Sequence, residues 1–211
     1  MLNGLEKYLP DIINFLLMMP VLLISLTFHE LSHGYIAYRL GDPTAKDAGR
    51  LTLNPLKHLD PIGTLMMFVA RIGWAKPVPV DPSFFKDRKK GMMLTSVAGP
   101  LSNLLVAFIV AFPLQLLVFT SYVRIDAGNG VAYYLFQFLA LLFYVNLNLA
   151  IFNLFPIPPL DGSKILSAVL PTEAYFRFMR YEQMIGLAFL VIVMFFKTGF
   201  GAVIGFFTDP I

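Results

Sequence analysis

Long apolar runs, separated by short polar segments, constrain this chain more than any other feature. Of its 211 residues, 57% are hydrophobic and only 14% are charged, whereas soluble domains carry about 25% charged residues. Helices are the expected spanning elements because lipid cannot satisfy exposed backbone groups, and each needs roughly 20 apolar residues. Four runs qualify, at residues 12–39, 92–122, 131–155 and 184–207. The sequence therefore predicts an all-α polytopic membrane protein with about four transmembrane helices.

Residues 44–91 have a different composition, with many Gly, Pro, Asp and Lys residues that interrupt helix. Residues 50–53 alternate like a short strand, and prolines keep residues 76–80 extended. Residues 65–70 are apolar but too few to span a bilayer. We expect a small membrane-associated segment with strands and a re-entrant or interfacial piece, inside a single domain of residues 1–211. A plain amphipathic surface loop is the alternative.

Positive charge is concentrated between the predicted helices on one side of the membrane. Ten of the 16 Lys and Arg residues lie between Arg39 and Lys90, and three more lie between the third and fourth runs. The positive-inside rule places both basic loops in the cytoplasm and both termini on the opposite side. We expect an integral protein of a bacterial or archaeal plasma membrane. The basic cluster suits an anionic lipid surface, and no nucleic-acid partner is expected.

A short histidine motif lies near the end of the first apolar run. The chain has no cysteine, so any metal must be held by His, Asp or Glu. His29 and His33 are four residues apart and share one face of a helix, while Glu30 lies about 100° away around the axis. This H-E-x-x-H pattern is typical of zinc proteases. The alternative, a polar helix end at the interface, is disfavoured because such a cluster is costly inside a membrane.

Catalytic zinc takes a third protein ligand and keeps one position open. The longer form of the motif is excluded, because Ile36 and Arg39 stand where its Gly and third His would be. Asp161 is the preferred ligand, since the prolines before it end the third apolar run and expose its carboxylate at a helix end. A helix cap is the alternative role for Asp161. The other candidates are His58, Asp42, Asp47 and Asp60.

Five motifs in the same order resemble the site-2 protease family of intramembrane zinc metalloproteases. They are H-E-L-S-H at 29–33, G-R-L-T-L-N-P-L-K-H-L-D-P-I-G-T at 49–64, K-P-V-P-V at 76–80, A-G-P-L-S-N at 98–103 and N-L-F-P-I-P-P-L-D-G at 153–162. The resemblance implies that Asp161 completes the ligands of one zinc ion per chain. It also implies that Asn153 helps to hold the substrate strand or the oxyanion. Many members carry a PDZ or a CBS domain, and we expect neither in these residues.

The expected reaction is hydrolysis of a peptide bond in or near a transmembrane segment of another protein. Zinc would polarise the scissile carbonyl and, together with Asn153, stabilise the oxyanion, while Glu30 would act as the general base. Because a helical peptide bond is shielded, the substrate must unwind locally. We expect the unwound strand to pair near residues 50–53 or 78–80, as in β-augmentation.

Two further residues are candidates for supporting roles. His58 either orients substrate or, in the simpler interpretation that we prefer, makes a structural hydrogen bond in its own turn. Asn103 follows the small Gly99–Pro100 pair and either supports the site or only joins packed helices.

Two other classes of protein compete with a protease. A metal or ion transporter would use the same ligands without needing Glu30 as a base, but it usually shows paired broken helices in two repeats. No such repeat is evident in the sequence. A non-catalytic membrane scaffold would show a degenerate motif, and the H-E-x-x-H motif here is intact.

Overall fold

The computed structural model describes residues 9–70, 74–119 and 130–195. Eight α-helices follow one another in these ranges: α1 Leu9–Arg39, α2 Thr44–Asp47, α3 Pro61–Ala70, α4 Arg88–Phe119, α5 Val131–Asn153, α6 Asp161–Ile165, α7 Thr172–Met179 and α8 Glu182–Phe195. Single 3-10 turns occur at Pro55–Lys57, Pro82–Phe84 and Leu166–Ala168. The described part of the chain is therefore mostly helical, as predicted.

Three helices, α1, α4 and α5, are long and apolar enough to cross a membrane, and they coincide with the first three predicted runs. The outer surface of α4 exposes large apolar side chains, including Leu101, Leu105, Phe108 and Phe112. Its buried residues are mostly small or polar. This inverted arrangement is typical of membrane helices, because lipid covers the apolar face and small residues let helix backbones approach.

The three long helices pack against one another and form the centre of the protein. Val21, Val110 and Leu142, one from each helix, form a buried apolar cluster. Ser25, one turn after Val21, begins a buried polar layer that continues towards the histidine motif. Further along, α6 and the turn after it pack on α4. The fold thus brings the carboxyl-terminal end of α1 and the start of α6 to the same part of α4.

The helix α1 ends at Arg39 and is followed by a turn at Gly41 and Asp42. Gly41 has a φ of 108°, a conformation that favours glycine. The amides of Gly41 and Asp42 donate back to the carbonyls of Tyr38 and Ala37, at 3.1 and 3.0 Å. This pattern satisfies carbonyls that the last turn of a helix would otherwise leave free.

Asp161 reaches the bundle through a proline-rich turn after α5. The helix ends at Asn153, and prolines occupy positions 156, 158 and 159, where they prevent helix from continuing. Asp161 is then the first residue of α6. A Cβ atom on Gly162 would lie 2.3 Å from the carbonyl oxygens of Leu154 and Phe155. Only glycine therefore allows α6 to pack so closely on the end of α5.

The fourth predicted span is only partly within the described residues. The helix α8, Glu182–Phe195, begins close to the predicted start but has 14 residues here, fewer than a bilayer requires. Residues 196–207, the rest of the predicted span, lie outside the described residues. A fourth transmembrane helix therefore stays a prediction.

The predicted strand at residues 50–53 is wrong. These residues form bends, and the amides of Arg50 and Thr52 donate to the carbonyls of Ala45 and Arg50 within the same turn. A strand needs a neighbour for its backbone groups, and the segment around it offers only an isolated bridge between Leu59 and Ala75. The described residues contain no β-strand. The apolar residues 65–70 belong to the helix α3 instead.

Candidate metal centre and active site

Three side-chain atoms from α1 and α6 converge on one point. Nε2 of His29 and Nε2 of His33 are 3.0 Å apart. Each of them lies 3.1 Å from Oδ2 of Asp161. All three side chains are largely buried, and together they form a group that could hold a metal ion. The structure thus brings together the two histidines and the carboxylate that the sequence singled out as ligands.

Asp161 is suited to serve as a charged ligand. An aspartate carboxyl group is ordinarily ionised at neutral pH. An ionised carboxylate oxygen is one of the ligand atoms that zinc accepts in proteins.

The outer nitrogen of each imidazole has a hydrogen-bond partner that fixes the tautomer. Nδ1 of His33 lies 2.7 Å from the carbonyl oxygen of Thr95, which can only accept. Nδ1 of His29 lies 2.6 Å from Oδ1 of Asn103. That oxygen must also accept, because Nδ2 of Asn103 donates to the Ser25 carbonyl and to Oδ1 of Asn146. Both rings therefore carry hydrogen on Nδ1 and present a lone pair at Nε2.

This arrangement fits a cation. Three electron-pair donors face one another at 3.0–3.1 Å, and Oδ2 of Asp161 is buried without a hydrogen-bond partner. Without a cation these groups repel one another and the carboxylate oxygen is left unsatisfied, which is costly in a buried site. Tetrahedral zinc with bonds of about 2.0–2.1 Å separates its ligand atoms by about 3.3 Å. The observed separations are close to that value.

The helix α4 touches both imidazoles through Gly99. A Cβ atom at this position would lie 2.4 Å from Nε2 of His33 and 2.6 Å from Cε1 of His29. The next residue, Pro100, has no N–H, so the helix already departs from regular hydrogen bonding beside the site. The Gly99–Pro100 pair therefore lets the backbone of α4 come close enough for Thr95 and Asn103 to reach the histidines.

Asn103 belongs to a buried polar network that joins three membrane helices. Besides its bonds to His29 and Ser25, Asn103 donates a hydrogen bond to Oδ1 of Asn146. Nδ2 of Asn146 donates in turn to Oγ of Ser25 and to the Leu142 carbonyl, at 2.8 Å each. Sequence reasoning missed Thr95, Ser25 and Asn146. Asn146 had a usable signal, because an amide inside an otherwise apolar run is costly unless it has partners.

Glu30 does not belong to the group of three ligand atoms. Its Oε2 accepts a hydrogen bond of 2.8 Å from the main-chain amide of Val78. Glu30 follows His29 directly, so its side chain leaves α1 about 100° around the axis. The carboxylate is therefore held beside the ligand group by a segment that crosses this face of α1.

Asn153, by contrast, is hydrogen-bonded within its own helix. Its Nδ2 donates to the Leu149 carbonyl at 2.9 Å. His58 is buried, and its Nε2 bonds to the Thr52 carbonyl at 2.9 Å. This bond goes to the bend before the turn of residues 54–60 and not to the turn itself, and it is compatible with a structural role for His58.

The carboxylates that competed with Asp161 are placed elsewhere. Oδ2 of Asp42 accepts from the Asp81 amide, Oδ1 of Asp60 accepts from the Gly63 amide, and Asp47 is exposed. Among the described residues, only Asp161 joins the two histidines in a possible metal site.

A buried His–His–Asp group beside the glutamate of an H-E-x-x-H motif, within apolar helices, defines a membrane-embedded metallopeptidase. The model of peptidase family M50 matches residues 17–195, and the chain belongs to this family, the site-2 protease family. The predicted family and the predicted class of zinc metalloprotease are confirmed. With its three apolar helices, the chain is an integral protein of a bacterial membrane.

Several relatives carry names of the same enzyme class. YwhC of Bacillus subtilis, an inferred zinc metalloprotease, is 43% identical over 181 residues, covering 86% of this chain and 80% of YwhC. Rip2 of Mycobacterium tuberculosis, also an inferred zinc metalloprotease, is 31% identical over 182 residues, covering 83% and 65%. The zinc metalloprotease MJ0392 of Methanocaldococcus jannaschii is 28% identical over 177 residues, covering 83% and 41%. No solved structure matches this chain significantly.

Proposed function

We propose that this intramembrane zinc metalloprotease cleaves peptide bonds in or near transmembrane segments of other membrane proteins. In this proposal His29, His33 and Asp161 hold one zinc ion, and Glu30 is the general base. The assignment depends above all on the convergence of two imidazole lone pairs and one unsatisfied carboxylate oxygen at 3.0–3.1 Å. The family and the names of the relatives support the choice of zinc.

The roles of the surrounding residues follow from their contacts. When bound, zinc polarises the scissile carbonyl and makes water a stronger nucleophile. Asn103 and Thr95 accept from the Nδ1 atoms and so keep both Nε2 lone pairs directed at the ligand position. Glu30 takes a proton from the attacking water and returns it to the leaving amine.

Asn153 is proposed to hold the substrate or the oxyanion. Its place at the last residue of α5, eight residues before Asp161, supports this role. To act on substrate, its amide would exchange the bond to the Leu149 carbonyl for one to the substrate. His58 and Asn103 are supporting residues that do not touch the substrate.

The membrane topology is also part of the proposal. The basic residues between α1 and α4 support a cytoplasmic position for that segment and for the nearby active site, with both termini on the opposite side. We further propose that the helix beginning at α8 completes a fourth span, and that α3 lies at the membrane interface. Exposed Ile62 and Leu65 on α3 support contact with lipid. All of these parts belong to one domain.

The direct test is proteolysis in reconstituted membranes. Wild-type protein and Glu30→Gln are placed in zinc-containing proteoliposomes with a panel of single-span substrates, and cleavage and bound zinc are both measured. Glu30→Gln should keep its zinc and lose cleavage, because an amide cannot accept the proton from water. Equal cleavage by the two proteins would refute the proposed mechanism. Zinc flux in the same vesicles, preserved in Glu30→Gln, would point to a transporter instead.

A further inference from the structure

An extended segment, residues 75–81, crosses α1 beside Glu30, and we call it the strap. Its centre reads Pro77-Val78-Pro79, so Val78 has the only amide hydrogen among these three residues. That hydrogen is donated to Oε2 of Glu30 at 2.8 Å. The strap therefore directs one isolated main-chain donor at the proposed base.

Buried polar groups on both sides of Val78 hold the strap in place. The Lys76 amide donates to the His58 carbonyl at 2.9 Å, and Nη2 of Arg50 donates to the Lys76 carbonyl at 2.6 Å. At the other end, the Asp81 amide donates to Oδ2 of Asp42 at 2.7 Å. The side chains of Arg50, His58 and Asp42 are all buried. These groups have no part in the proposed chemistry, and their contacts fix both ends of the strap.

The surface of α1 is shaped to receive the strap. Gly34 lies one turn after Glu30 and so shares its face of the helix. A Cβ atom on Gly34 would lie 2.9 Å from Cγ1 of Val78 and 2.8 Å from Cδ2 of Leu51. A side chain at position 34 would therefore push Val78 away from the helix and from Glu30.

We propose that the main-chain amide of Val78 is a positioning group for the general base. The inference rests on the proposed function of Glu30. By holding Oε2, the amide restricts the rotamers of a flexible side chain and leaves Oε1 to exchange the proton with water. Such pre-organisation lowers the entropic cost of reaching the reactive geometry. Val78 itself acts through Glu30 and does not touch the substrate in this account.

The test compares Val78→Pro, which removes the amide hydrogen, with Val78→Ala, which keeps it and trims the side chain that contacts Gly34. Proline is compatible with this site because the residue before Pro79 is already confined to extended conformations. For Val78→Pro we expect kcat to fall about 10- to 100-fold, the effect of losing one hydrogen bond to a charged group. KM and bound zinc should stay unchanged, and Val78→Ala, which keeps the amide hydrogen, should lose at least about fivefold less kcat than Val78→Pro.

Other outcomes overturn the proposal. An equal loss of kcat in both variants would show that side-chain packing, and not the amide hydrogen, causes the loss. Loss of bound zinc in Val78→Pro would show that the substitution disturbs the fold. A raised KM with unchanged kcat would make the amide a substrate-binding group.

A double-mutant cycle separates this inference from the proposed function. In a Glu30→Asp background the side chain is one methylene shorter. Its carboxylate then cannot accept the hydrogen bond from the Val78 amide and reach the attacking water at the same time. Val78→Pro should then cause a further loss of no more than about twofold. A full additional loss would show that the amide acts independently of Glu30. Undiminished cleavage by Glu30→Gln would refute the proposed function itself.

Discussion

At the scale of single residues, hydrogen bonds outside the ligand group decide what the two histidines can do. An imidazole can bind a metal only through a nitrogen that carries no hydrogen. Here the Asn103 side chain and the Thr95 carbonyl hold the hydrogen of each ring on Nδ1. The Nε2 atoms of His29 and His33 therefore carry no hydrogen, and their lone pairs face Asp161. We therefore propose that Asn103 positions His29 for zinc, in addition to joining the packed helices.

Replacing Asn103 with alanine should weaken zinc binding. His29 would lose the acceptor that fixes its tautomer, and removal of such a partner typically costs about 10- to 100-fold in metal affinity. Asn148→Ala is the matched control, because that amide donates only to Tyr144 in its own helix. Zinc retention is measured by competition with a graded chelator. Equal retention in the two variants would contradict the role assigned to Asn103.

At the scale of helices, the site depends on how closely α4 approaches α1. Gly99 faces both imidazoles, and each ring is held by a hydrogen bond to α4, so neither can move aside easily. The same contact explains why the apolar helix α4 has glycine and proline at positions 99 and 100, beside the two histidines. Close approach of helix backbones through small residues is the usual means of packing in membranes.

Gly99→Ala should therefore destabilise the metal site even though alanine favours helix. The added methyl would collide with His33 Nε2 and His29 Cε1, and overpacking of this kind costs about 1–3 kcal/mol. Gly186→Ala in α8 is a suitable control, since its nearest contact would be an ordinary 3.4 Å to Pro159. Thermal unfolding with and without zinc measures both effects. A zinc-dependent stabilisation of Gly99→Ala equal to that of Gly186→Ala would count against this packing role.

The three long helices around the candidate site could be predicted from the sequence, but the structure of the segment between α1 and α4 could not. Long apolar runs determine α1, α4 and α5, and the i, i+4 spacing already puts His29 and His33 on one face. The alternating pattern of residues 50–53 led to a wrong prediction of a strand, because such a pattern does not supply the neighbouring strand that a β-strand needs. Their amides bond within turns instead, and Nη2 of Arg50 donates to the strap. The contact between Glu30 and Val78 spans 48 positions, and no local pattern reveals it.

At the scale of the whole molecule, the distribution of charge sets the proposed orientation. The basic residues cluster between α1 and α4, on the side where α1 and α5 end and where Asp161 begins α6. The proposed active site is then near the cytoplasmic face, and a membrane substrate would reach it from the bilayer. Because α1 and α6 each supply part of the proposed ligand set, that site can form only when the two helices are packed together.

The orientation can be tested by labelling, because the chain contains no cysteine. Lys7→Cys and Lys86→Cys would be treated with a membrane-impermeant maleimide in intact cells and again after permeabilisation. We expect Lys7→Cys to react in intact cells and Lys86→Cys to react only after permeabilisation, as the positive-inside rule requires. Reaction of both positions from the outside would show that the predicted topology is wrong.

X-ray absorption of the zinc-loaded protein can measure whether His29, His33 and Asp161 together hold one zinc ion, as we propose. Wild type and an Asp47→Ala control should show two imidazole nitrogens and one carboxylate oxygen among the zinc ligands, at about 2.0–2.2 Å. Asp161→Ala should lose most of its zinc or show the carboxylate replaced. A third imidazole in wild type, or an unchanged spectrum and zinc content in Asp161→Ala, would contradict the ligand set.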